Sequence, residues 1–314
     1  MIELGLASSH APAMFRPKEV WEPIYAFRPP DVPQPAAAAL ETPEVIQGYI
    51  DRIERGFRIL REQLEAAKPD ALIMVGDDQG DLFAPHSMPA FCVYTGEEIW
   101  GSTAISYLKE PIEGTIVNLP THPELARHLL RGLMKGGFDP AFLAKIAGIG
   151  RPERGMGHMV TFPATKLTPR HDIPIIPIFI NEYFPPLPSG QRCWDLGVAL
   201  RNLLAERKER VAIYASGGLS HDPGGPRAGW IDEPLDRWIL ERLERGQSRE
   251  LTSLFTFDSD TLRGGTGEVR AWITVAAALD RPAVVVDYIK AHHAKTGLGF
   301  AYWPAANGAD NYKP

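Results

Sequence analysis

Apolar residues along the chain fall into two kinds of run. Short, nearly continuous blocks at 2–7, 71–75, 89–94, 115–119, 173–180, 211–215, 283–287 and 297–303 predict strands, several of them buried on both faces. Segments with apolar residues at three- and four-residue steps, at 43–67, 122–135, 190–206, 234–245 and 268–279, predict helices. The longest carries Val45, Ile46, Tyr49, Ile50, Ile53, Phe57, Leu60 and Leu64 as a core-facing stripe, with Thr42 as its cap and Pro43 in the first helical position. Thr121 and Ser189 are read as caps of the helices that follow them. Residues 15–42, rich in Pro and Ala, have little periodicity and read as an irregular surface excursion, a candidate lid. Strands alternating with helices, with no repeat and no clear linker, predict one α/β domain over 1–314.

The polar residues that interrupt this pattern sit where strands end. The 211–215 block runs into Ser216-Gly217-Gly218, whose glycines permit a sharp turn, and then reaches His221. The first block ends in Ser9-His10-Ala11-Pro12, and the 71–75 block in the loop Gly76 to Asp81. In open α/β sheets the carboxyl edge of the strands is where ligand crevices form. His221 is therefore read either as a functional residue or as a capping histidine in a loop. Glu268 opens a helix after Gly264-Gly265-Thr266-Gly267; it either complements the helix dipole or points into a site. His122 and His128 are read as helix-surface residues. The Gly-rich run 147–158 lacks the spacing of a phosphate loop.

Composition narrows the classes. Of 314 residues, 44% are hydrophobic and 23% charged, the balance of a globular protein, and a net charge of -6 argues against a nucleic-acid or anionic-membrane surface. Cys92 and Cys193 form no disulfide framework and no metal-binding pair, which fits a reducing cytoplasm. No signal-peptide pattern and no membrane-length apolar run is seen.

His10, His158 and His221 all follow strand or Gly-rich signals, and Glu268 joins them as a carboxylate. Two imidazoles and a carboxylate on one face of a metal leave positions for substrate and oxygen, the non-haem Fe(II) arrangement. At these residues the chain resembles the class III extradiol ring-cleavage dioxygenases, of the protocatechuate 4,5-dioxygenase catalytic-subunit type. The resemblance rests on Ser9 to Pro12, Gly76 to Gln79 with Phe83 and Pro89, Gly157-His158 and Pro186 to Cys193. It is completed by Gly217 to His221 continuing through Gly225 to Gly229, and by Gly267-Glu268 with Trp272.

The resemblance implies a mixed central sheet flanked by helices, Fe(II) as cofactor, and a small aromatic diol and O2 as reactants. With no nucleic-acid or membrane partner expected from the charge, a homodimer is the candidate self-association. Carried over residue by residue, it makes His10 and Glu268 iron ligands, His221 the acid/base residue and His158 a holder of the substrate hydroxyl. The family's second ligand histidine falls at Gln79, a weaker neutral donor. Gln79 then ligates through its carbonyl, or Asp77, Asp78 or His86 supplies the missing ligand, or iron is absent. Arg192 and Arg227 are candidate partners of a substrate carboxylate. The rival class is a non-oxidative metal-dependent enzyme or a binding protein on the same scaffold.

Overall fold

The computed structural model describes residues 1–147 and 149–305; Gly148, within the Gly-rich run, and residues 306–314 lie outside it. Its framework is an α/β sandwich around one mixed eight-stranded sheet. The strands are β1 (Ile2–Ser8), β2 (Ala71–Gly76), β3 (Phe91–Tyr94), β6 (Ala141–Leu143), β7 (Ile175–Ile180), β8 (Val211–Ser216), β9 (Val284–Ala291) and β10 (Thr296–Trp303). Their spatial order is β6-β3-β7-β2-β8-β1-β10-β9. The four central strands β7, β2, β8 and β1 run parallel, whereas β3 joins β7, and β10 joins β1, in antiparallel fashion.

The central strands are apolar without alternation because both faces are covered. Along β2, Ala71, Ile73 and Val75 face one core while Leu72 and Met74 face the other. Helices α3 (Pro123–Lys135), α5 (Gly190–Ala205), α6 (Glu233–Glu244) and α7 (Val269–Leu279) cover the first face. Helices α2 (Pro43–Ala67) and α4 (His158–Leu167) cover the second. On α2 the buried stripe includes Ile46, Ile53, Phe57, Leu60 and Leu64, whereas Val45 is exposed. Each fully buried side chain of this kind contributes about 2 kcal/mol of transfer free energy. Helix α7 is buried along its whole length, its apolar sequence interrupted only by Arg270 and Thr274, whose polar groups are hydrogen-bonded.

Several elements differ from the sequence expectation. The 115–119 block forms β5 (Ile116–Leu119), which pairs with β4 (Ile99–Ser102) in a separate two-stranded sheet. The cap expected at Thr121 falls one residue later: His122 Nδ1 accepts the Leu125 N–H at 3.3 Å, and Pro123 is the first helical residue. Helix α4 has no counterpart in the periodicity reading. It carries Pro163 inside and is buried on nearly every side, so neither composition nor amphipathic spacing reveals it. The excursion 15–42 contains one short α-helix, α1 (Trp21–Ala26), between two 3-10 turns, and clamps onto the turn between β9 and β10. There the Glu41 carboxylate accepts the backbone N–H groups of His292 and His293 at 2.7 and 2.8 Å, and Tyr25 stacks on His293.

Candidate active site

The carboxyl ends of the four parallel strands converge on one corner. Register explains this: Ser8 of β1 lies beside Ser216 of β8, Val75 of β2 beside Ala215 of β8, and Gly76 of β2 beside Phe179 of β7. One or two residues past these strand ends come His10 and Asp77. Beyond β7 and β8 come Glu182, Tyr183 and His221. Glu268 enters from the turn that precedes α7. Arg270 fixes that turn by donating from Nη1 to the Gly267 carbonyl and from Nε to that of Pro188.

Three side chains form a ligand-type cluster, His10, Asp77 and Glu268, with their donor atoms within 4.8 Å of one another. His10 Nε2 lies 3.6 Å from Glu268 Oε2 and 4.0 Å from Asp77 Oδ1. The hydrogen bonds define the His10 tautomer. Ser216 Oγ spends its proton on the Met159 carbonyl at 2.7 Å, so at 2.9 Å from His10 Nδ1 it accepts. Nδ1 therefore carries the hydrogen, and Nε2 is left with a lone pair and no partner. Both Asp77 oxygens are likewise buried without a hydrogen bond. Burial first, and then the nearby Glu268, push the Asp77 carboxyl well above its usual range. A lone pair and two buried carboxylates aimed at one point fit a dication, which would neutralise them and satisfy the unpartnered atoms.

Glu268 is held from three other directions. It accepts from the Gly218 N–H at 2.5 Å, from Tyr183 Oη at 2.8 Å and from Gln79 Nε2 at 2.8 Å. Burial disfavours its charge, but the positive field of the neighbouring His221 leads the effects that outweigh burial and hold the carboxyl well below the usual range. His221 Nδ1 donates to the Leu219 carbonyl at 2.9 Å, which turns Nε2 toward Tyr183 Oη at 3.2 Å and Glu268 Oε1 at 3.5 Å. Burial works against a charged His221, yet Glu268 beside it prevails and raises its pKa above 6.5. Two glycines make room for these groups. A Cβ on Gly217, whose φ is +119°, would stand 2.5 Å from Glu268 Oε2, and one on Gly265 would stand 1.9 Å from His221 Nε2.

The corner opens into a cavity of about 260 Å³ lined by His10, Gln79, His158, Tyr183 and His221 at one end. Residues 34–301, most of the chain, match the family described as the catalytic LigB subunit of aromatic ring-opening dioxygenase. The chain belongs to this family. Its members open aromatic rings oxidatively, the class the strand-end residues imply; the narrower protocatechuate 4,5 type is not singled out by the matches. Among relatives, the 2,3-dihydroxyphenylpropionate/2,3-dihydroxicinnamic acid 1,2-dioxygenase of Cupriavidus necator is 26% identical over 84% of this chain and 85% of its own length. The protein of the same name from Escherichia coli strain 55989 is 28% identical over 74% of this chain and 83% of its own. That from Cupriavidus pinatubonensis is 28% identical, but the match spans only 62% of its length. The crystal structure of the uncharacterized protein JW3007 of Escherichia coli K12 superposes with a TM-score of 0.50 at 16% identity, covering 77% of this chain and 91% of that one, a likeness of fold.

Within this family framework, the expected convergence of His10 and Glu268 is observed. Gln79 reaches the corner as well, but by its amide nitrogen, and the third corner is taken by Asp77. Turning the Gln79 amide over would set its oxygen against the Glu268 carboxylate, so the donor assignment stands on charge. The backbone helps to place it: Gln79 has φ +47° and Gly80 φ +85°, a tight left-handed reversal straight after β2. Asp78 is spent on the same turn, accepting from the Leu82 and Phe83 N–H groups at 2.8 Å, and His86 is exposed. His158, the first residue of α4, packs edge-on to His10 at 4.5 Å between ring centres and lines the cavity.

Arg192 and Arg227 do not line the cavity. The Arg192 guanidinium lies over the Phe138 ring at 4.4 Å, and the Arg227 N–H closes a turn on Asp222. Sequence reasoning passed over Tyr183, Asp81, Arg151, Arg154 and Lys295, all of which line the cavity. The strand-end position of Tyr183, just after β7, is the signal that could have found it. Among the described residues no helix is long and apolar enough to cross a membrane.

Proposed function

We propose that the chain, acting as one catalytic unit, is a non-haem Fe(II) extradiol dioxygenase that opens the ring of a catechol-type substrate with O2. The observation that carries this reading is the unpartnered trio of His10 Nε2 and the two Asp77 oxygens beside Glu268 at the strand ends. His10, Asp77 and Glu268 would hold the metal on one face, leaving the cavity side for substrate. Fe(II), when bound, supplies Lewis acidity toward the two diol oxygens and a path for electrons between ring and O2.

The chain's own residues supply the rest. His221 Nε2 lines the cavity within reach of Tyr183 and Glu268, so it is positioned to exchange a proton with a diol hydroxyl. Tyr183 links it to Glu268 and fixes both. His158, across from His10, is placed to hold a substrate oxygen. Phe162 and Ile105 give the cavity apolar walls that favour a ring and exclude water. The balance is one diol and one O2 per ring opened, both oxygen atoms entering the product, with no organic cofactor. The names of the relatives support a diol bearing a carboxylated side chain as the substrate class.

One observation favours a second reading. The donor set is one imidazole and two carboxylates, harder than two imidazoles and one carboxylate, and such sets also suit Mn²⁺ or Mg²⁺. That reading is a non-oxidative metal-dependent reaction on the same scaffold. Anaerobic titration of the metal-free protein with Fe(II), followed by O2 admission over a panel of catechols, separates the two. Stoichiometric Fe(II) binding with O2 uptake upholds the dioxygenase. Tight Mn²⁺ binding with no uptake on any diol supports the alternative.

A further inference from the structure

The cavity is asymmetric in charge. Besides the histidines its wall carries three cations, Lys295, Arg151 and Arg154, against one carboxylate, Asp81. Arg151 pairs with Asp81 Oδ1 at 2.6 Å and Arg154 Nε approaches the same oxygen at 3.7 Å, so two guanidinium groups share a single negative charge. The nearby Glu110 is already engaged by Arg16 at 2.6 Å.

Lys295 is the more unusual group. It is 4% exposed, sits in the β9–β10 turn with φ +58°, and is followed by Thr296, which bridges to His221. Its Nζ donates once, to the Phe27 carbonyl at 2.7 Å, and lies 5.6 Å from the centre of the Tyr107 ring. Among the described residues no carboxylate pairs with it, and the charged neighbour acting on it is another cation, Arg28. Burial, and then Arg28, lower its pKa to about 8. A buried ammonium with two unused N–H groups, facing a cavity, is costly unless a ligand supplies the counter-charge.

We propose that Lys295 anchors a carboxylate carried on the side chain of the aromatic substrate, with Arg151 and Arg154 adding to the positive potential of that wall. This rests on the ring-opening reading for the nature of the ring, and it makes Lys295 the residue that selects an anionic catechol over a neutral one. The phenyl ring would lie between the apolar walls, its diol toward His10 and His221 and its acid toward Lys295.

The test uses a probe that needs neither metal nor oxygen. Calorimetric binding of 3-phenylpropionate and of 3-phenylpropanol to the metal-free protein should favour the acid by at least about tenfold. Lys295→Met should abolish that preference, while Lys295→Arg, which keeps the charge, should retain part of it. In the Fe(II)-loaded enzyme, Lys295→Met should lower kcat/KM for a catechol bearing a propionate chain by about 30-fold or more, mainly through KM. It should lower kcat/KM for 4-ethylcatechol far less, so that the ratio between the two substrates falls by about tenfold or more. Equal binding of acid and alcohol by the wild type, or an undiminished preference in Lys295→Met, overturns the proposal. Should Lys295→Met not fold, Arg151→Met decides: a preference reduced by about threefold or more upholds the cationic wall, and an unchanged one overturns it. Acid preference without O2 uptake on any catechol keeps the seat and removes the dioxygenase reading; O2 uptake without acid preference does the reverse.

Discussion

At the scale of single residues, the site turns on Asp77 and its neighbour Gln79. Asp77 follows β2 directly and reaches the corner; Gln79, two residues on in a left-handed turn, reaches it only to donate a hydrogen bond to Glu268. The two positions therefore differ in what their loss should cost. Asp77→Ala removes a charged donor and should weaken Fe(II) binding by more than about 100-fold in an anaerobic titration. Gln79→Ala removes support for a donor and should weaken it by about tenfold. Equal losses would make Gln79 a ligand. His221 is held to Leu219 by Nδ1 and offers Nε2 to the cavity, so His221→Ala should cut kcat by about 10² to 10⁴ and leave metal content unchanged. A parallel loss of metal would place it among the ligands. The sequence pointed to His10, His158, His221 and Glu268 because each follows a strand-end or Gly-rich signal. It set Gln79 at the third position with Asp77, Asp78, His86 or no iron as alternatives, because residues of one loop differ only in where the backbone turns them.

Secondary-structure elements explain why residues so far apart along the chain meet. Parallel strands place all their carboxyl ends on one edge, so four loops separated by many residues share one crevice. That much was legible from the apolar blocks. Helix α4, which delivers His158, was not, since its burial on nearly all sides erases the period that a half-exposed helix shows. Nor was the docking of the excursion onto the β9–β10 turn, which depends on long-range contacts. Glu41 fastens that docking and carries a test of it. Burial pushes its carboxyl from 4.5 up to about 7, against two backbone hydrogen bonds from His293 and His292. A carboxyl raised in the folded state holds its proton more tightly there, so its contribution to stability is whole below pH 4.5 and is lost as pH rises through about 7. Glu41→Gln cannot ionise. Whatever its constant cost, the variant should gain on the wild type across that window by up to about 3 kcal/mol in urea unfolding. His292 and His293, whose pKa values burial lowers, titrate in both proteins and cancel in the difference. A pH-independent difference would mean that Glu41 stays accessible to water.

On the scale of the whole molecule, the eight-stranded sheet with two covered faces gives a rigid floor, and the crevice at its edge concentrates unsatisfied charge. Two buried carboxylates at the strand ends ask for a dication; a lysine without a counter-ion and two arginines on the cavity wall ask for an anion. A substrate that chelates the metal through a diol and carries an acid satisfies both demands at once. The most direct measurement is O2 uptake by the Fe(II)-reconstituted wild type and by Asp77→Ala, with a propionate-bearing catechol and with ring opening followed by absorbance in the same cell. The account predicts one O2 consumed per ring opened by the wild type, and no uptake above the enzyme-free blank by Asp77→Ala. Full Fe(II) occupancy of the wild type without O2 uptake, or undiminished ring opening by Asp77→Ala, would contradict it.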